Sequence, residues 1–186
     1  MTRNTKQRMI EAAALSLRKQ GLAATSFTEV LAASGAARGA IYHHFPGGKD
    51  DLIEQAVTWT GHRVRTEFER IEGDDPGAVL RNFVDLMRPV VAKAAGGTSC
   101  AVAAVTVEAS PEQAALNTAA EAAFRSWIDV LEERLRQVGV TASQAVATAQ
   151  LMVTFLEGSL VLARATGTLT VFEQSASALL QALTLD

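Results

Sequence analysis

SFTEVLAASGAARGAIYHHFPGGKDDL, residues 26–52, decides the fold of this chain. Ser26 and Glu29 stand three apart, so the serine hydroxyl can accept from the Glu29 amide while the Glu29 carboxylate reaches back to the serine amide, and a helix starts here. Phe27, Val30 and Leu31 share one face of it. Ser34-Gly35 ends it, because glycine takes the left-handed conformation of a helix exit at little cost. A second helix restarts within about three residues and runs roughly over 37–45, with Ile41 and Phe45 four apart on its buried side. Arg38, Tyr42 and His43 are left to face outward, among the small residues Ala36, Ala37, Gly39 and Ala40. A helix that is apolar inside, with donors and small residues outside, approaches a major groove closely and meets phosphates and base edges. The stretch is a helix-turn-helix, a reader rather than a catalyst.

Charge agrees with that reading once its distribution is considered. The 186 residues hold 17 Lys+Arg and 20 Asp+Glu, but residues 1–50 hold seven against three, leaving ten against seventeen for the rest. Such segregation lets one end meet phosphate while the other stays soluble. Arg3, Lys6, Arg8, Arg18 and Lys19 form the basic end, either as a solvated helix face or as phosphate contacts, with Arg3 and Lys6 best placed for contact. A hydrophobic fraction of 48% with 5% aromatics suits packed, alanine-rich helices. No run reaches the roughly 18 uninterrupted apolar residues of a membrane span, and the opening stretch mixes charge into its apolar positions, unlike a signal peptide. The cytoplasm is the expected compartment. No cofactor, metal site or catalytic residue is expected. His43 and His44 point about 100° apart on a helix, His62 has no partner at ligand spacing, and neither a phosphate-binding glycine loop nor a G-x-S-x-G elbow occurs.

The apolar period is helical nearly throughout, which predicts an all-α fold of about nine helices. They are expected at 4–20, from the Ser26 start to Ser34-Gly35, at 37–45, 49–72, 77–94, 100–109 and 111–138, from Thr141 or Ser143 to 166, and at 170–183, with Gly73-Asp74-Asp75-Pro76-Gly77 as the clearest breaker. Residues 1–50 would be a three-helix DNA-binding head and 51–186 a larger body.

Gly35, Gly39, Ile41-Tyr42-His43-His44-Phe45, Lys49 and Leu52 resemble the signature of the TetR family of transcriptional regulators. Two departures are visible. Ala37 stands where a serine commonly caps the recognition helix, and Pro46-Gly47-Gly48 is one residue longer than the usual link to the lysine. That link, with Gly96-Gly97-Thr98-Ser99-Cys100, is similar to the LmrA/YxaF-like subgroup. The expected DNA contacts are Thr25, Ser26, Arg38, Gly39, Tyr42, His43, His44 and Lys49. The resemblance further implies a homodimer joined by a four-helix interface, and a body that binds a small hydrophobic effector.

For that body, Trp59, Phe83, Met87, Phe124, Trp127, Met152 and Phe155 are the candidate pocket residues, since aromatic walls and adaptable methionines suit a cavity. A filled core would use the same residues. Thr106, Glu108, Asn117, Arg125 and Thr154 are the polar groups available to orient a ligand. Val153, Leu156, Leu160, Val161, Leu179, Leu180 and Leu183 form apolar stripes that read as the dimer surface or as intrachain core. Cys100 opens a short apolar helix, where the dipole can lower a thiol pKa, although unpaired cysteines usually act as small hydrophobes. The resulting expectation is a ligand-responsive repressor that binds a palindromic double-stranded operator as a homodimer and leaves it when the effector binds. Two other classes compete: a helical enzyme or carrier with a vestigial head, and an effector-free architectural DNA binder. The lack of an acid/base or metal constellation argues against the enzyme.

Overall fold

A computed structural model describes residues 5–182, and every regular element among them is an α-helix. The helices are α1 (Thr5–Ala24), α2 (Phe27–Ser34), α3 (Arg38–His44), α4 (Gly48–Glu69), α5 (Pro76–Ala95), α6 (Ala101–Glu108), α7 (Ala114–Gln137), α8 (Ala142–Thr166) and α9 (Thr170–Ala182). Their boundaries follow local chemistry. Asp75 accepts from the Ala78 amide at 2.7 Å with Pro76 in the first turn of α5, a side-chain cap followed by a residue whose φ is already helical. α7 begins later than Pro111, because Ser110 to Gln113 closes a turn of its own, in which the Ser110 amide donates to Gln113 Oε1 at 3.1 Å and Asn117 Nδ2 donates to the Ser110 carbonyl at 2.9 Å. α1 runs past the expected stop, but with a break at Gly21 (φ 84, ψ −177).

The helices form two compact units. One comprises residues up to His62 together with Ser99–Ala123; in it α1 packs on α2, α3 and α6, and Met9, Leu17, Val30, Ile41, Phe45 and Val102 are buried. The other comprises Arg63–Thr98 and the residues from Phe124 onward, with α5, α8 and α9 packed on one another. The division between the units falls inside α4 and α7, and α6 goes with the N-terminal helices. α8 is long and apolar enough to cross a membrane by length and composition alone. Its buried residues Ala145, Ala149, Met152, Leu156, Leu160 and Ala163 recur at helical spacing. The stripe they form is what a core helix packed on α5 and α9 requires.

An ion pair braces the second unit. Arg88 of α5 donates through Nε and Nη2 to the two carboxylate oxygens of Glu173 on α9, at 2.8 and 3.1 Å. Hydrogen bonding to this guanidinium holds the Glu173 carboxyl below its ordinary value of 4.5. A depressed carboxyl stabilises the fold above its unfolded pKa, and that contribution disappears as pH falls through the folded value. Both side chains are more than 40% exposed, so the pair contributes at most about 1 kcal/mol. Glu173→Gln is therefore expected to lower the urea midpoint slightly at neutral pH and not at all in acid. A deficit that stays constant from neutral pH into acid would assign the effect to packing instead.

Candidate nucleic-acid interface

The capping box that opens α2 is complete. Ser26 Oγ accepts from the Glu29 amide and the Glu29 carboxylate accepts from the Ser26 amide, both at 3.3 Å. At the far end Gly35 takes φ 64 and ψ 24, the left-handed exit that turns the chain toward α3. Ala37 stands at the N-cap of α3 and supplies no side-chain hydrogen bond, which forgoes about 1 kcal/mol relative to a serine there. What holds α3 in place is burial: Ile41 and Phe45 are both out of solvent. Their burial aims the opposite face outward, where Arg38, Gly39, Tyr42 and His43 are exposed.

That face is shaped for contact. Tyr42 is 66% exposed, yet its ring is steadied edge-on by Phe27 at 5.8 Å, so the side chain is presented in a fixed direction. A Cβ built on Gly39 would meet nothing within 4 Å. A glycine inside a helix costs roughly 0.5–1 kcal/mol relative to alanine, and here the surrounding chain gives no reason for it. The backbone at Gly39 is thus open to solvent. His44 is half-buried and its ring meets those of His43 and Phe45 edge-on, with centroids 5.1 and 6.4 Å away.

Three of the expected contacts are engaged inside the chain. Thr25 is buried, and its hydroxyl donates to the Gly21 carbonyl at 2.7 Å. Ser26 spends its oxygen on the cap. Lys49 turns inward and donates Nζ to the Leu22 carbonyl at 2.8 Å, while the amide of Gly47, beside the start of α4, is taken up by Asp51 at 3.3 Å. The physical reason is common to all three. Helix ends and the break at Gly21 leave backbone groups in need of partners, and nearby polar side chains supply them. Among the basic residues, Lys6 lies 5.7 Å from the Phe45 ring centroid and Arg18 Nε donates to the Ser99 carbonyl at 3.2 Å. Arg3 lies outside the described residues.

The expected pocket residues fall in both units. Trp59 is half-buried in the first. In the second, Phe83, Met87, Trp127 and Met152 are buried and Phe124 and Phe155 are half-buried. Trp127 packs edge-on against Phe124 at 5.1 Å and Phe68 at 6.3 Å, and Phe68 also meets Phe83 at 5.6 Å. Phe68 belongs to this cluster although it was absent from the expected set; its place at an apolar position near the end of α4 was the available signal. Phe155 instead lies against Phe172 of α9 at 5.6 Å. Of the polar candidates, Thr106 and Thr154 donate to carbonyls one turn back on their own helices, and Asn117 to Ser110. Cys100 caps α6 weakly, its sulfur 3.5 Å from the Ala103 amide.

The apolar stripe of α8 resolves into two faces. Val153, Leu156 and Leu160 are buried within the single chain. Their burial accords with the intrachain-core alternative for the stripe. Val161 is 65% exposed, in the company of Leu151 and Leu162. Leu179 and Leu180 are half-buried, and Leu183 lies outside the described residues.

Comparison with known proteins agrees with this geometry. Residues 9–56 match the model of the bacterial regulatory proteins of the tetR family, and residues 76–178 match that of the C-terminal domain of LmrA/YxaF-like transcriptional regulators. An HTH-type transcriptional regulator of Mycobacterium tuberculosis is 35% identical over 164 residues, which cover 86% of this chain and 84% of that one. A TetR transcriptional regulator from Legionella pneumophila has the same fold, with a TM-score of 0.83 at 23% identity over 98% of this chain and 99% of that one. A cysteine mutant of the TetR-family regulator CifR, solved with 26-bp double-strand operator DNA, superposes with a TM-score of 0.75 at 18% identity over 98% of each chain. The relatives are regulators rather than enzymes. With both of its segments matched and a relative of this identity along most of its length, the chain belongs to the TetR family of transcriptional regulators, in the LmrA/YxaF-like subgroup.

Proposed function

We propose that this regulator is a ligand-responsive repressor, a cytoplasmic homodimer that binds a palindromic operator through α3 and leaves it when a small hydrophobic effector binds the body. The observation that carries the DNA-binding part is the outward face of α3, where Arg38, Gly39, Tyr42 and His43 are exposed around a helix anchored by Ile41 and Phe45. A head of this size reads a short site, and a two-fold dimer doubles it, with half-sites about one helical turn apart. The exposed apolar residues of α8 support the dimer. The aromatic cluster around Trp127 supports the effector, and release then requires that the effector bind the DNA-incompetent arrangement more tightly than the competent one. The operator of CifR offers a parallel for the kind of partner.

Arg38 is the long cation of the α3 face, so it is assigned to base readout. Once footprinting of DNA flanking the protein's own gene has located the operator, Arg38→Ala is expected to cut the preference for operator over random DNA by about 1–3 kcal/mol. The measurement is a pair of titrations, one on each DNA, over a range of salt. Equal losses on both DNAs, with a salt slope lower by about one unit, would make Arg38 a phosphate contact.

A further inference from the structure

The end of α1 is held by side chains from three places in the chain: Thr25, Lys49 and Glu108. At the Gly21 break three consecutive residues bond to side chains: the Gly21 carbonyl accepts from Thr25 at 2.7 Å, the Leu22 carbonyl from Lys49 Nζ at 2.8 Å, and the Ala23 amide donates to Glu108 Oε2 at 2.8 Å. Glu108 is the last residue of α6, 85 positions away in sequence. Its carboxylate occupies the room left by a missing side chain, for a Cβ on Gly21 would overlap Glu108 Oε1. The φ of Gly21 is positive as well, so a glycine is favoured there on two independent grounds. α6 also grips α1 just before its own start, where the Ser99 amide and hydroxyl both donate to the Arg18 carbonyl at 2.7 and 3.0 Å.

We propose that Glu108 is a positioning residue for DNA binding. By fixing the Ala23 amide it sets the path of the chain two residues before Thr25 and Ser26, and hence the entry of α2 and the aim of α3. Glu108 and Ala23 are both exposed, so the bond adds little to global stability and is readily released. The proposal rests on the reading of α3 as the DNA-contacting helix.

The test compares wild type, Glu108→Ala and Glu108→Gln in operator affinity, amide hydrogen exchange at Ala23 and melting temperature. Glu108→Ala is expected to weaken operator binding about threefold to tenfold and to speed exchange at Ala23, with the melting temperature nearly unchanged. Glu108→Gln, whose amide oxygen still accepts, is expected to restore both. Wild-type behaviour of Glu108→Ala in affinity and exchange would overturn the proposal. So would equal impairment of the two variants, which would point to charge alone, or a fall in melting temperature large enough to explain the lost binding. A wild type that binds no DNA site would sink the reading of α3 and the positioning role with it; failure of the positioning role alone leaves wild-type binding intact.

Discussion

Leu160→Glu is expected to abolish folding, whereas Val161→Glu, one residue along α8, is expected to leave the protein folded and split the proposed dimer. Leu160 is 6% exposed on the face of α8 that the chain itself buries. A glutamate there loses the leucine packing, about 2–5 kcal/mol, and strands a carboxylate among apolar groups for roughly 3–5 kcal/mol more. The sum rivals the whole stability of a domain, about 5–15 kcal/mol. Val161 sits about 100° further round the helix and is 65% exposed, so a charge there costs the isolated chain almost nothing. It matters only if a second copy covers it. Urea melts and sedimentation on both variants decide the matter. A folded Leu160→Glu with wild-type stability would contradict its burial, and a dimeric Val161→Glu would move the seam elsewhere.

Trp127→Ala is expected to cost about 3–5 kcal/mol in urea unfolding. The indole is 1% exposed, and the edge-on contacts with Phe124 and Phe68 each add roughly 0.5–1.5 kcal/mol beyond burial. The result also bears on the effector. A loss below about 1 kcal/mol would mean that the ring borders open space, as a cavity wall does. A loss in the expected range makes Trp127 a packed support, and leaves the half-buried rings Phe124 and Phe155 to meet a ligand.

Helices and their caps were legible because the signals are local. The Ser26/Glu29 pair, the Gly35 exit and the spacing of Ile41 and Phe45 all lie within one or two turns, and each reappears in the structure as read. Faces were less legible. α8 is apolar most of the way round, so Leu160 and Val161 look alike in sequence, and only packing on α5 and α9 tells them apart. Contacts with backbone were the least legible. Nothing near Thr25 or Lys49 announces that the Gly21 break exposes carbonyls for them to satisfy, and Glu108 meets Ala23 only because α6 folds back onto α1. The expected contact set followed the family pattern at these positions, while local hydrogen bonding turned two of its side chains inward.

The return of α6 to α1 has a consequence for synthesis. The helix-turn-helix emerges from the ribosome first, but the unit that contains it includes Ser99–Ala123. Until those residues follow, α1 lacks the helix that packs along it and the bonds that tie down Arg18 and Ala23. The nascent head therefore lacks these contacts while residues 53–123, more than a third of the chain, are made. The packing that completes the reader is thus supplied by a helix made well after it.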